Sequence, residues 1–186
     1  GVLEGASTLS DSTTDVVVDI KEFAASASAK IYNGLGGIVG RTEGSSTTLV
    51  QITNCTSLSQ LTNSSPNVSN VQPAIGGIAG LAYKTSFNTI VNGAEGENNS
   101  GDITLTTHIG CTCTGSIVGA GKDCNFDTIT NYGIIRQKST VNYPYIGGIF
   151  GSWWTNDNEA AYTLKNITNN GGIIVEEGIS HTSSGT

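Results

Sequence analysis

The stretch Gly36-Gly37-Ile38-Val39-Gly40 decides the fold, because close copies of it return along the chain. The copies come after 40, 39 and 32 residues, as Gly76-Gly77-Ile78-Ala79-Gly80, Gly115-Ser116-Ile117-Val118-Gly119 and Gly147-Gly148-Ile149-Phe150-Gly151. Self-similarity at such a period is typical of solenoids, propellers and arrays. The structure of one repeat therefore specifies the fold of the whole chain.

A second element follows each of these pentapeptides. It reads Ile52-Thr53-Asn54, Ile90-Val91-Asn92, Ile129-Thr130-Asn131 and Ile167-Thr168-Asn169, with isoleucines 38, 39 and 38 residues apart. We expect these isoleucines to point inward and form apolar stacks. We expect the asparagines to occupy the left-handed αL conformation or to bind local backbone groups.

A turn and an apolar strand close each unit. This third element is clearest in Gly101-Asp102-Ile103-Thr104-Leu105, Gly133-Ile134-Ile135 and Gly172-Ile173-Ile174-Val175. In the first unit it is degraded to Ser57-Leu58-Ser59-Gln60-Leu61. The glycines at the element edges are expected to supply positive φ at tight corners.

These patterns predict an all-β fold, a parallel β-helix or β-solenoid of about four coils of about 38 residues, with partial coils at both ends. Residues 15–180 form its single domain, with repeats at about 31–68, 69–107, 108–140 and 141–177. The stretch Asp15-Val16-Val17-Val18-Asp19-Ile20 resembles the last closing strand, so the solenoid is expected to start there. Residues 1–14 are predicted to be an arm or a flexible tail, and residues 181–186 a tail.

The four pentapeptides and the segment Ile167-Thr168-Asn169-Asn170-Gly171 resemble the GLUG repeat of bacterial and protist surface proteins. The resemblance covers about residues 31–176 and implies a β-rich, solenoid-like part of an adhesin, secreted protease or surface lipoprotein. The first unit departs from the family pattern after Cys55, and the fourth inserts residues between Gly151 and Ile167. The family has no catalytic residues to carry over.

The charge balance excludes several partners. A net charge of −7 with only eight Lys and Arg leaves no basic stripe to neutralise nucleic-acid phosphates or an anionic membrane surface. No apolar run approaches the length of a membrane-spanning helix, and no signal peptide is recognisable in the sequence.

Two features favour an extracellular or cell-surface location. The chain contains N-glycosylation sequons at Asn54, Asn63, Asn67, Asn98 and Asn166. The even number of cysteines, Cys55, Cys111, Cys113 and Cys124, is consistent with two disulfides in an oxidising compartment. We expect Cys124 to pair with Cys111 or Cys113, and Cys55 with the other. A zinc site recruiting His108 or Asp123 matches no usual ligand spacing.

The sequence offers little catalytic chemistry, so it predicts that the protein is not an enzyme, with no catalytic residues and no metal or other cofactor. A calcium loop at Asn156, Asp157 and Glu159 lacks the usual spacing and is interpreted as a solvated insertion. Adjacent tryptophans on a strand face opposite ways. One of Trp153 and Trp154 could therefore contact a sugar ring or a partner protein, together with Tyr143 and Tyr145.

Neither end of the repeat array shows a capping helix, and uncapped solenoids expose strand edges. The leading hypothesis is a secreted, glycosylated structural or adhesive protein that assembles end to end as the protomer of a filament or surface fibre. Its partners are further copies of itself or further repeats of a longer chain. The alternative is a carbohydrate-binding module of a surface protein. A weaker one is a polysaccharide hydrolase or lyase acting through Asp123 or Asp127.

Overall fold

A computed structural model of the 186-residue chain describes residues 1–21, 31–45, 47–65, 71–106, 112–138, 144–154 and 162–176. Within these ranges the chain forms twenty β-strands and no helix. Every strand pairing is parallel, and partners come from successive turns of the chain. The protein is a parallel β-solenoid, which confirms the predicted fold class.

Each turn of the chain, called a coil below, contributes its strands in a fixed order. The first coil contains β1 (Val2–Glu4), β2 (Thr8–Ser10), β3 (Thr13–Thr14) and β4 (Val17–Ile20). The second and third contain β5 (Ile31–Gly36), β6 (Val39–Glu43), β7 (Val50–Ser57), β8 (Gln60–Asn63), β9 (Val71–Gly76), β10 (Ala79–Tyr83), β11 (Thr85–Asn92) and β12 (Ile103–Leu105). The fourth coil contains β13 (Thr112–Gly115), β14 (Val118–Lys122), β15 (Asn125–Asn131) and β16 (Ile135–Gln137). The fifth and last coil contains β17 (Pro144–Gly147), β18 (Phe150–Trp154), β19 (Leu164–Asn169) and β20 (Ile173–Val175).

Equivalent strands of the coils stack into four sheets. Sheet A has the order β1-β6-β10-β14-β18, and sheet B has β2-β7-β11-β15-β19, with β3 also on β7. Sheet C has the order β4-β8-β12-β16-β20, and sheet D has β5-β9-β13-β17. The first coil thus supplies strands to sheets A, B and C, and each of these three sheets runs from the first coil to the last.

The pentapeptide glycines bring sheets D and A into backbone contact. A Cβ atom on Gly80 would lie 2.5 Å from the carbonyl carbon of Gly34, and one on Gly119 would lie 2.7 Å from that of Ala74. Neither glycine has a positive φ. The expectation of positive φ is therefore wrong for these pentapeptide glycines, whereas it is correct for Gly101 of the third element, whose φ is 72°. They are needed because no side chain fits between the two strands that they join.

Two apolar cores lie on either side of this contact. The larger is built from inward residues of sheets A and B with Ile78 and Ile117, and includes the stacked rings of Phe87 and Phe126, 4.9 Å apart. The smaller is built from sheets C and D. It contains the buried side chains of Leu61, Ile75, Ile103, Leu105 and Ile135. The repeated apolar residues thus fill the coil interior, as the sequence predicts.

The predicted alignment of the first unit is wrong by a few residues. Ile52 pairs with Phe87, and Cys55, not Ile52, pairs with Ile90. The third element is also displaced, because Leu61 pairs with Ile103 and not with Leu105. The 38-residue spacing of Ile52 and Ile90 is coincidental.

Residues 1–14 differ most from their prediction as an arm or flexible tail. β1 pairs with β6, β2 and β3 pair with β7, and the inward side chains of Leu3 and Leu9 pack against the larger core. Each of these strands has only two or three residues and no more than one inward apolar side chain. Such short strands leave almost no periodic signal in a sequence, although their backbone hydrogen bonds place them in the solenoid.

One residue in each coil interrupts sheet B in the αL conformation. The residues at this position are Asp11, Asn54, Thr89, Thr128 and Asn166, with φ between 52° and 59°. Asparagine and aspartate tolerate αL, whereas a β-branched residue with positive φ is strained. Among the asparagines predicted for αL, only Asn54 has this conformation; Asn92, Asn131 and Asn169 do not. Thr89 and Thr128 therefore mark two strained positions in the middle coils.

We expect Thr89→Asn to raise the free energy of unfolding by about 1 kcal/mol, since Asn relieves the αL strain of an exposed β-branched residue. Denaturant unfolding measures the change. The matched control is Thr130→Asn, on an ordinary position of β15, where the same substitution should be neutral or slightly destabilising. Equal effects of the two substitutions would contradict the assignment of strain to Thr89.

Candidate functional site

The two ends of the solenoid hold the exposed large apolar side chains of the described chain. In the first coil these are Val2, Val16 and Val17. In the last coil they are Tyr145, Trp154, Leu164, Ile173, Ile174 and Val175. The coils between them contribute none to this set. Since exposed apolar patches on a folded protein mark interaction surfaces, the ends are the candidate site.

Three of the exposed residues in the last coil continue buried columns of the interior. Leu164 pairs with Phe126, Ile173 with Ile135 and Val175 with Gln137, and all three partners are fully buried. Leu164, Ile173 and Val175 are themselves 44%, 45% and 44% exposed. They point inward as their partners do, but no described residue covers them. The sequence places these residues at inward positions of the last unit. That position predicts their role in the fold but not their exposure at the end of the solenoid.

The first coil presents apolar side chains in the same columns. Leu9 stands in the column that ends at Leu164, through Ile52, Phe87 and Phe126. Val18 stands in the column of Ile173, and Ile20 in the column of Val175. Leu9 and Val18 are partly buried and pack against the two cores. The two end faces are therefore complementary, column by column.

A ladder of asparagine side chains also runs to the last coil. Asn92 Nδ2 donates to Asn131 Oδ1 at 2.9 Å, and Asn131 Nδ2 donates to Asn169 Oδ1 at 2.7 Å. Asn92 and Asn131 are buried, whereas Asn169 is exposed. The expected binding of local backbone by asparagine holds here, since Asn131 also binds both backbone groups of Gly133. The ladder thus ends on a polar amide at the end face.

Charged residues stand beside the αL column on the outer face of sheet B. Asn54 donates to the Asp11 carboxylate at 2.5 Å, and Asn166 donates to Asp127 at 3.0 Å. The hydrogen bond from Asn54 is the main cause of the lowered pKa of Asp11, while the main cause of the lowered pKa of Asp127 is Lys165, 2.9 Å away. The Asp11 carboxylate is exposed and that of Asp127 is partly exposed, and both remain ionised at neutral pH.

The predicted ligand-contact residues do not form one cluster. Trp153 faces inward and packs against the larger core, whereas Trp154 is 41% exposed on the outer face of sheet A. Tyr145 is exposed on β17 of sheet D, and Tyr143 lies outside the described residues. The Trp153 ring fits on the inner side because Gly121, which lies beside it, has no side chain. The geometry therefore leaves Trp154 as the exposed tryptophan.

No disulfide joins the three described cysteines, Cys55, Cys113 and Cys124. The predicted pairings among these residues are therefore wrong, and Cys111 lies outside the described residues. Cys55 and Cys124 are fully buried in the larger core, where they act as small apolar side chains. Burial raises the pKa of the Cys124 thiol to about 12, so the thiol stays protonated at neutral pH.

The five sequons differ in accessibility. Asn54, Asn98 and Asn166 are exposed, and Asn67 lies outside the described residues. Asn63 is 1% exposed, and its Oδ1 accepts hydrogen bonds from Ser65 N and Ser65 Oγ. A glycan on Asn63 is incompatible with this packing, so the structure removes Asn63 from the candidate glycosylation sites.

The acids named for catalysis or metal binding are not brought together. Asp123 is fully buried, whereas Asp127 is on the outer face of β15 with Lys165. Within the described ranges, no group of three or more His, Cys, Asp or Glu could hold a metal ion. His108 and the loop residues Asn156, Asp157 and Glu159 lie outside those ranges. The same described residues include no helix long and apolar enough to cross a membrane.

Comparisons with protein-family models, with curated proteins and with solved structures gave no match to this chain. The resemblance of the pentapeptides to the GLUG repeat therefore stays a prediction from the sequence. A function for this protein must be inferred from its fold and from the geometry of its end faces.

Proposed function

We propose that the protein is a secreted, glycosylated structural or adhesive protein whose solenoids assemble end to end. The observation that carries the proposal is the exposure of Leu164, Ile173 and Val175, which face the interior but lie uncovered at the last coil. The proposed occupant of this surface is the first coil of a second copy.

The first coil fits that place by its strands as well as its side chains. Sheets A, B and C each start in the first coil and end in the last, so a second copy would add β1 to β18, β2 to β19 and β4 to β20. Its Leu9, Val18 and Ile20 would then continue the columns of the last coil. This contact joins two different surfaces and leaves a free end on each copy, so it propagates into a filament.

The proposed location rests on the sequons. Asn54, Asn98 and Asn166 are exposed in three different coils, where attached glycans would point away from the interior. The buried thiols of Cys55 and Cys124 give no support to an oxidising compartment. Glycans on the side of a filament would leave both end faces open for assembly.

Adjacent residues of β20 provide a sharp test of assembly. Ile174 and Val175 are 43% and 44% exposed, but Val175 faces the interior and Ile174 faces outward in the column of Arg136. We expect Val175→Lys to raise the protein concentration needed for filaments by about tenfold or more, because stacking would bury an ammonium group. Ile174→Lys should leave that concentration nearly unchanged. Light scattering and negative-stain electron microscopy across a concentration series measure both.

Other occupants of the end face give different results. If the intact chain stays monomeric and only a chain lacking residues 177–186 assembles, those residues cover the end and the proposal is wrong. A chain that stays monomeric in both forms overturns it equally. Equal loss of assembly in the two lysine variants would mean that the contact uses the outer face of sheet C instead of the interior columns.

A further inference from the structure

A groove of about 230 Å³ lies on the side of the solenoid, on the outer face of sheet A. Leu81 and Ala82 line part of it. The other lining residues are charged or aromatic and come from neighbouring coils: Arg41, Glu43, Tyr83, Lys122 and Trp154. Glu43, Tyr83, Lys122 and Trp154 occupy one register column across four successive strands. The groove therefore follows the solenoid axis, at right angles to the strands.

The charge inside the groove is positive although the chain as a whole carries −7. Arg41 and Glu43 form an ion pair at 2.6 Å and neutralise each other. The Lys122 ammonium instead lies 5.4 Å from the centre of the Tyr83 ring. In the described part of the chain, no carboxylate lies within ion-pair distance of Lys122. Among the described residues, Lys122 is thus the cation of this groove that has no carboxylate partner.

The aromatic rings flank this cation. Tyr83 is one strand from Lys122 on one side, and Trp154 is one strand away on the other. Successive strands are about 4.8 Å apart, so the two aromatic positions are separated by about 9.6 Å along the axis. Rings of this type present flat apolar faces, and Trp154 is 41% exposed.

We propose that this groove binds an acidic polysaccharide, a chain of sugar rings that carry carboxylates. One sugar ring stacks on Trp154 and another on Tyr83, while the carboxylate between them pairs with Lys122. A pyranose in an extended chain advances by about one strand spacing, so successive rings match the column of side chains. A neutral sugar would use the aromatic faces but leave the cation without a partner.

This site replaces the grouping of Trp153, Trp154, Tyr143 and Tyr145 suggested by the sequence with a different set of residues. Trp154 lies in the last coil, where β1 of a second copy would pair with β18, but Tyr83 and Lys122 belong to middle coils and face outward. Binding by the monomer can therefore be measured separately from end-to-end assembly. A failure of assembly would therefore leave the groove intact in the monomer, and a failure of binding would leave the end faces unaffected.

The test uses trigalacturonic acid as the probe and its fully methyl-esterified form as the neutral ligand of equal length. Isothermal titration calorimetry on the intact chain should show binding of the acid, weakening as salt is raised. The ester should bind at least about tenfold more weakly than the acid, because it lacks the charge-assisted contact. Lys122→Gln should weaken binding of the acid by about tenfold and leave binding of the ester unchanged.

The control is Lys165→Gln, which removes the same charge from the outer face of sheet B, where Lys165 pairs with Asp127. It should leave the affinity for the acid unchanged. Tyr83→Ala should weaken both ligands, since both would lose a stacking face. Equal affinity for acid and ester, equal effects of the two lysine substitutions, or no heat of binding at millimolar acid would each overturn the proposal.

Discussion

Gly119→Ala is expected to lower the free energy of unfolding by about 4 kcal/mol or more, enough to prevent folding of a marginally stable domain. The added methyl group would lie 2.7 Å from the carbonyl carbon of Ala74 and closer still to the backbone nitrogen of Ile75. Both atoms belong to the backbone of β9, which is held between β5 and β13. No rotamer change can remove the overlap, so two sheets must separate.

Gly172→Ala is the matched control. A Cβ at Gly172 meets nothing within 4 Å, and its φ is not positive. The same methyl group should therefore change stability by only a few tenths of a kcal/mol there. Denaturant unfolding followed by circular dichroism, below the concentration of assembly, measures both variants. A Gly119→Ala protein as stable as Gly172→Ala would show that sheets A and D are not in backbone contact.

The same glycines show what the sequence could predict. Their spacing indicated the stacking register of sheet D correctly, since Gly36 pairs with Gly76, and Gly115 with both Gly76 and Gly147. It did not indicate their physical reason. Close packing between sheets D and A depends on strands from different coils, and such contacts leave no local pattern in the chain. A positive φ was the local explanation, and the structure rejects it for the pentapeptide glycines, although Gly101 of the third element has a φ of 72°.

Other features that depend on contacts between coils were also not predicted from the sequence. The alignment of Ile52 with Ile90 failed because the coils differ in length. Cys55 and its partner Ile90 are 35 residues apart, whereas Ile90 and its partner Ile129 are 39 apart. Lys122 was not recognised as a candidate, because its neighbours Tyr83 and Trp154 are 39 and 32 residues away in sequence. The disulfide prediction failed because a buried thiol and a half-cystine look identical in a sequence.

The asparagine ladder gives the second large prediction, because a central rung of it is a buried and fully satisfied amide. Asn131 Oδ1 accepts from Asn92 Nδ2 at 2.9 Å and from Gly133 N at 3.0 Å. Its Nδ2 donates to Asn169 Oδ1 at 2.7 Å and to the Gly133 carbonyl at 3.0 Å. We expect Asn131→Ala to cost about 3 kcal/mol in the free energy of unfolding, because several buried polar groups lose their partner at once.

Asn131→Asp separates the hydrogen bonds from the volume of the side chain. An ionised carboxylate at this place would face the Gly133 carbonyl and Asn169 Oδ1 with no proton to donate. Its pKa in the folded state should therefore be raised above the unfolded value of about 4. A raised pKa contributes stability below the unfolded value, and that stability is lost as the pH rises. The cost of Asn131→Asp relative to the native chain should thus be smaller at acid pH than at neutral pH, whereas that of Asn131→Ala should not change.

Ser57→Asn should act in the opposite direction at the start of the ladder. Ser57 pairs with Asn92, and among the described residues Asn92 Oδ1 is buried without a hydrogen-bond donor. Gly37 lies against Ser57 as Gly77 lies against Asn92, so an asparagine has the same room at this level. Its Nδ2 would donate to Asn92 Oδ1 and add about 1 kcal/mol to the free energy of unfolding. Filling of volume alone would also make Ser57→Asn stabilising and Asn131→Ala destabilising, but it would not make the cost of Asn131→Asp depend on pH. The three results together therefore require the amides to act through their hydrogen bonds.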